Sequence, residues 1–392
     1  MILLNSSASI TVKASGALKG LNIFRKGIAT VPVFNNSDFA GTAVILGGDA
    51  VVQNYDTAVI NCLICGFNQA VSGLRCSNAL IKKTMIDCNN GILADTGGNP
   101  VIIKDCLGWP FLSVAFAPYN PAQLLRPGAF IKLQNNVDAS KILTCTSYDY
   151  NKGVVLIDSN GVEISQSGFD APEDVTAIGL EINGATGLTQ VTNSQFVAQG
   201  KGIRFSPNSN SDVLLLTNVY FTANQNNDIE QTKGTLIIGG GSEFSSTAVA
   251  NAIQVSDSAA KLMIDDVNCT KTSGVFIQNV SGTPFIQVGD NIQVPNGAAV
   301  YGGAATSRSV ASGSGVDLPQ GLIVLVTGTT TIFGLSGGWP GRVVTLRFSS
   351  SLTFSDSSVM NLSGNLTVSA NDTLTLGFTA SNQCYEISRS IN

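Results

Sequence analysis

The sequence predicts an all-β chain: a right-handed parallel β-helix, or solenoid, followed by a small antiparallel β-sandwich domain. Three observations carry that prediction. Short apolar runs recur at nearly constant spacing, the clusters between them are rich in Asn, Gly, Asp and Ser, and only 12% of the 392 residues are charged, against roughly 25% in an ordinary globular chain. With 44% apolar residues the chain has enough hydrophobic surface to fold, which excludes disorder.

The repeat is visible in two registers. The runs Leu188 to Phe196, Val213 to Phe221, Thr235 to Phe244, Lys261 to Cys269 and Thr283 to Ile292 are equivalent, and their last members are spaced by 25, 23, 25 and 23 residues. The triplets Gly179-Leu180-Glu181, Gly202-Ile203-Arg204, Asp228-Ile229-Glu230, Ala252-Ile253-Gln254 and Phe276-Ile277-Gln278 follow at steps of 23, 26, 24 and 24. Upstream, Asn61 to Phe67, Lys82 to Ile92 and Val101 to Phe111 read as slightly shorter coils of the same kind, and Leu21-Asn22-Ile23 belongs with them. A β-type period near 24 suits a solenoid, because each coil has an apolar face that it can bury only against its neighbours. Leucine-rich repeats are excluded by the Leu spacing, and long helices by the absence of a 3.6-residue period. Roughly 13 coils at about 4.8 Å per rung make a rod of about 60 Å.

Two segments interrupt the rhythm. Between Gly108 and Phe130, prolines 110, 118, 121 and 127 fall among Trp109, Phe111, Phe116 and Tyr119, which reads as an excursion from the helix body because proline cannot donate to a ladder. From Tyr148 to Glu181 there is a local acidic excess, Asp149, Asp158, Glu163, Asp170, Glu173, Asp174 and Glu181, whose middle, 168–177, reads as a longer solvated turn. It lacks the spacing of an EF-type calcium loop. The expected domains are therefore a parallel β-helix over 1–301, a flexible Gly/Ser-rich linker over 302–317, and an antiparallel β domain over 318–392.

Composition narrows function. Twenty-one basic against 26 acidic residues give a net charge of −5 with no basic cluster, so neither nucleic acid nor membrane insertion is expected. The start, Met1-Ile2-Leu3-Leu4-Asn5, has no basic and apolar leader pattern, and synthesis without a classical export signal is the expectation. The sequence contains no His, which removes Ser-His-Asp and Cys-His mechanisms. Cys62-Leu63-Ile64-Cys65 has zinc-like spacing, but residues three apart on a strand point to opposite faces, so the eight cysteines are expected as buried, reduced core thiols, with Cys65 and Cys88 neighbours on adjacent coils. No metal and no cofactor are expected; Gly239-Gly240-Gly241 lacks the Lys and the helix of a phosphate loop.

The rungs Asn61-Cys62-Leu63-Ile64-Cys65-Gly66-Phe67 and Asp87-Cys88-Asn89-Asn90-Gly91-Ile92, then Trp109-Pro110-Phe111, resemble pectate-lyase-like bacteriophage tailspikes. The closing Asn371-Asp372-Thr373-Leu374-Thr375-Leu376 and Tyr385-Glu386-Ile387-Ser388-Arg389-Ser390 resemble C-terminal β modules of phage tail proteins. The resemblance covers nearly the whole chain and its motifs are architectural. It implies a homotrimeric virion-tail protein that binds host surface glycan and often cleaves it as an endoglycosidase or lyase, with no fixed catalytic motif to carry over. Tailspikes usually begin with an attachment domain, whereas this sequence begins almost directly in rungs. Either another tail or baseplate protein supplies the attachment, or the sequence is a fragment.

Equivalent positions in successive coils lie one above another, so Glu181, Arg204, Glu230, Gln254 and Gln278 form an outward row. One reading is a cross-rung ladder of charges and amides with a structural role. The other is a glycan groove in which Glu181 and Glu230, two rungs or about 9.6 Å apart, serve as catalytic acid and base around Arg204, since inverting glycosidases set their carboxyls roughly 6.5 to 9.5 Å apart. In the excursion, Trp109, Tyr119 and Arg126 are the candidate sugar-binding residues, against packing or a trimer interface. Outward apolar residues such as Val155 and Phe276 are expected to favour the trimer. The competing functions are a glycan depolymerase, a non-enzymatic adhesin and a purely structural virion component.

Overall fold

The computed structural model describes residues 1–27, 36–47, 54–97, 100–112, 125–246, 251–270, 275–280, 284–288, 292–293, 299–303, 309–318, 323–338, 342–380 and 382–391. It divides into two compact units, one of residues 1–284 and 289–302, the other of residues 285–288 and 303–392.

The first unit is a parallel β-solenoid with three faces. The first face runs from Ala17–Lys19 to Lys261–Ile264, the second from Ile2–Leu4 to Ile292–Gln293, and the third from Ile10–Val12 through Asn251–Val255 to Val275–Asn279. Successive rungs pair in parallel, so a residue is stacked on its equivalent one coil later. Upstream the coil is 22 residues, as in Leu63 on Met85 on Leu107; the next step, Leu107 to Thr146, takes 39 because the excursion after Trp109 is inserted.

The corner between the first and second faces shows why the sequence turns where it does. Asn61, Lys83, Asp105, Thr144, Gln166, Asn193, Asn218 and Asp266 stand there with φ between 49° and 55°, the left-handed region that Asn and Asp tolerate best. The next residue is typically a small hydrogen-bonding one. Ser167 and Ser194 donate to the carbonyls of Ser165 and Thr192 two residues back, at 2.9 and 2.8 Å. They also accept the backbone N–H groups of Cys145 and Ser167 from the preceding coil. Cys62, Cys106 and Cys145 occupy the same position, their thiols 3.3–3.4 Å from the carbonyls of Ile60, Lys104 and Leu143. These cysteines thus act as weak stand-ins for serine. All eight cysteines are buried and none is in a disulfide, and burial holds the Cys65 and Cys88 thiols far above their ordinary range. Cys65 pairs in register with Asp87, and Cys88, the next residue on that adjacent coil, lies close enough to raise the Cys65 thiol further.

Inside, Phe169, Phe196, Phe221 and Phe244 form a ring stack with centroids 5.6, 5.5 and 4.8 Å apart. Glycine explains how so many rings fit. A Cβ on Gly179 would stand 2.4 Å from Phe196, and one on Gly202 would stand 2.8 Å from Phe221. Where Cys269 replaces phenylalanine on the second face, Phe276 replaces the small residue on the third and packs edge-on against Phe244. Phe276 is therefore an inward residue with no exposed surface, and Val155 is also covered, at 4% exposure, contrary to the expectation of outward apolar residues. The register Phe196, Phe221, Phe244, Cys269 is observed, but Ile292 stacks on Val267 and lies two residues short of the expected column. The 168–177 segment is not a turn. Gly168–Gly184 is one extended strand serving both faces, with register irregularities between Asp170, Asp174 and Ile178.

The second unit has an antiparallel centre, Val343–Phe348 against Thr373–Ala380 against Gln383–Ser390, extended at its edges by parallel strands. Its apolar side chains, among them Val324, Leu346, Phe348 and Leu376, share one core with Val316, Leu335, Phe354 and Val368 from two smaller sheets. Part of the segment expected as a linker is strand: Ser309–Ala311 pairs with residues 325–327, and Gly315–Asp317 with Gly334–Ser336.

Candidate functional site

Two regions of the solenoid carry the candidate residues. On the third face, the row is in register as the sequence predicts: Glu181 on Arg204, Arg204 on Glu230, Glu230 on Gln254, Gln254 on Gln278. Each glutamate is also bound by a lysine one rung earlier, Lys152 to Glu181 and Lys201 to Glu230, the latter at 2.6 Å. Arg204 lies 3.8 Å from Glu181 and 3.4 Å from Glu230. The side chain of Glu181 is 7% exposed, beneath these cations. Both carboxylates are thus committed to ion pairs, and Glu181 is closed to a substrate, so the geometry favours the ladder over a catalytic acid and base. Neither lysine was selected from the sequence. The signal was present, since each lies 29 residues before its glutamate.

The second region is the corner between the second and third faces, where the excursion leaves the solenoid. Arg126 is not a sugar-binding residue there: its side chain has no exposed surface and is paired with Asp87, also fully buried, at 2.5 Å. Asp87 accepts from both ends of the excursion, the Arg126 guanidinium and the backbone N–H of Leu112 at 2.6 Å. Asn36 joins the same knot, accepting from Arg126 at 3.0 Å and donating to the Leu125 carbonyl at 2.7 Å, while Arg126 lies 4.8 Å over the Phe39 ring. Burial raises the Asp87 carboxyl, and the Arg126 charge opposes that rise. Tyr119 lies outside the described residues.

Trp109 ends the second-face strand beside this knot, half-buried, and its ring stacks on that of Tyr148 with centroids 4.8 Å apart and planes at 24°. One coil further along the same column, Tyr148 pairs in register with Asp170, itself only partly buried. Gly108 and Ser147, the inward neighbours of the aromatic pair, leave room for the core rings Phe130 and Tyr150, since a Cβ on Gly108 would come within 2.8 Å of both. Asp149 follows Tyr148 in a left-handed conformation, φ 64°, and its backbone ties the corner: its N–H donates to the Asp170 carbonyl and its own carbonyl accepts from Arg126.

The Asp149 carboxyl has no exposed surface, and among the described residues neither of its oxygens has a hydrogen-bond partner. Burial, and then the negative charge of Asp170, push it up to about 7, with Arg126 opposing. Burial likewise raises Asp170 to about 6. Asp170, partly exposed beside the partly exposed aromatic rings, makes with them a surface able to stack a sugar ring and to hold or give a proton, and Asp149 is buried behind it. Reading the acidic stretch as a solvated turn missed this pair. The pattern of an aspartate directly after a second-face strand, at a rung bordering an excursion, was the available signal.

No family model and no curated protein matches the chain. Among solved structures, it is similar to PfbA, a surface adhesin of Streptococcus pneumoniae, at 11% identity over 99% of this chain and 90% of that one, with a TM-score of 0.26. It is also similar to ORF18 of Geobacillus virus E2, at 9% identity over 99% of this chain and 66% of that one, again with a TM-score of 0.26. Among the described residues no helix is long and apolar enough to cross a membrane, and no cluster of three or more metal-ligating side chains occurs.

Proposed function

We propose that the chain is a receptor-binding rod of the tailspike kind, which holds a host surface polysaccharide at the corner column of Trp109, Tyr148 and Asp170. The observation that carries this reading is the stacked, partly exposed Trp109–Tyr148 pair, fixed at the mouth of the excursion by the buried Asp87–Arg126 knot. Aromatic faces beside carboxyls suit a sugar ring, whose C–H face stacks while its hydroxyls bond. A parallel solenoid adds a rigid base, because each rung is pinned by its two neighbours. The same proposal includes assembly as a homotrimer on a virion tail, which sedimentation would report as three chains.

Affinity electrophoresis through gels containing capsule or lipopolysaccharide tests the site. Retardation of the parent protein that Trp109→Ala and Tyr148→Ala both abolish is the expected result; undiminished retardation of both variants would remove the column from consideration. A second reading, cleavage of the bound glycan, is favoured by the elevated carboxyl of Asp170, which is partly exposed and suited to act as a general acid near pH 6. New reducing ends, lost in Asp170→Asn, are its signature.

A further inference from the structure

The corner column has an imbalance of charge that a neutral sugar would leave in place. Asp170 and Asp149 adjoin, and the nearby guanidinium of Arg126 is already bound to Asp87. Asp149 is fully buried with both carboxyl oxygens unpartnered among the described residues, which is costly for a polar group unless something neutralises it. The ladder on the third face shows the contrast, since there each glutamate has its lysine. At the corner, the unmatched acids stand next to two stacked aromatic rings, and the faces of such rings attract cations.

From this juxtaposition we propose that the column recognises a cationic sugar, one carrying a free ammonium group, with the charge against Asp170 and the sugar ring on the Trp109–Tyr148 pair. This rests on the glycan-binding reading and adds the substrate class to it. Asp170 is partly exposed and aligned with Tyr148, so it makes the contact. Asp149, behind it, contributes field rather than contact. The ligand needs its own proton to carry charge, whereas a proton on Asp170 removes the contact, so binding should weaken on acidification through about 6. The charged or titratable groups facing Asp149 and its neighbours are Asp170, Arg126, Asp87, Tyr150 and Cys88; burial raises Asp87 as well, but it is held in the ion pair with Arg126 and has no exposed surface to offer a ligand.

The test uses the full chain, titrated calorimetrically with short β-1,4-linked glucosamine oligomers and with the same oligomers fully N-acetylated. The expected result is a preference of roughly tenfold or more for the free amine, about 1.4 kcal/mol, at about pH 6.5, where the sugar amines still carry charge and Asp170 is mostly ionised. That preference should shrink at pH 5 and disappear in Asp170→Asn. Asp149→Asn, which leaves the contact residue in place, should reduce it in part. Equal affinity for the two oligomers, or a preference that survives Asp170→Asn, overturns the cationic assignment and leaves glycan binding standing. Binding of neither oligomer also overturns it. In that case a panel of neutral and acidic oligosaccharides decides the broader reading, which fails only if none of them depends on Trp109.

Discussion

The third-face ladder and the corner column both set carboxyl groups near cations on the same solenoid, yet they resolve their charges in opposite ways. Lys152, Glu181, Arg204, Glu230 and Lys201 form a chain in which every carboxylate meets a cation. At the corner, the buried ion pair Asp87–Arg126 is spent on closing the excursion, while the Asp149 carboxyl lies buried without a hydrogen bond among the described residues and Asp170 beside it titrates well above an ordinary carboxyl. A satisfied ladder is what a stable rod needs along its flank. An unsatisfied buried acid such as Asp149 persists only where the surrounding structure holds it, and such places cluster at functional sites.

Breaking the knot should have the largest effect. Arg126→Ala leaves Asp87 buried without its cation, and removal of one member of a buried pair costs about 3–5 kcal/mol. Chemical denaturation should show that loss, together with loss of glycan retention, because both ends of the excursion hang on Asp87. Replacing Arg126 and Asp87 together by apolar residues of similar volume should recover most of the stability without recovering binding.

Relieving the unsatisfied acid should have the opposite sign. An acid raised from 3.8 to about 7 on folding holds more protons folded than unfolded across that window, so the stability it contributes is present at low pH and is lost as pH rises through about 7. Asp149→Asn should therefore be more stable than the parent at pH 8, by on the order of 2 kcal/mol, and the advantage should vanish towards pH 4. A variant less stable than the parent at both pH values would mean that Asp149 has a stabilising partner.

The smallest effect belongs to the ladder. Glu230→Gln removes a partly exposed partner of Lys201 and Arg204 and should cost less than about 1 kcal/mol, less again in high salt, with glycan binding unchanged. Loss of binding in this variant would move the site to the third face and reverse the comparison.

What the sequence made legible divides along the same line. The coil period, the phenylalanine column and the row from Glu181 to Gln278 follow from short-range repetition, because in a parallel solenoid stacking partners sit one period apart. Glu181 and Arg204, 23 residues apart, were findable for that reason. Asp87 and Arg126 were not: they are 39 residues apart, across an insertion that erases the period. Ile292 missed its column by two residues for the related reason that corner lengths vary from coil to coil. Burial of Asp149 was hidden because polar corner residues are usually solvated, and only the excursion beside it distinguishes this corner. The size exchange between Cys269 and Phe276 shows in the sequence as an oddity of the Gly179, Gly202, Asp228, Ala252, Phe276 series, and packing against the phenylalanine stack accounts for it.

The claim that the corner column, not the charged flank, is the working surface can be tested most directly by amide hydrogen exchange with and without bound host polysaccharide. Protection should concentrate at 107–109, 146–149 and 168–170, the rungs that carry Trp109, Tyr148, Asp149 and Asp170. Residues 201–207 and 227–231, which carry Arg204 and Glu230, should exchange as in the free protein. Protection of those third-face strands with an unprotected corner would contradict the account.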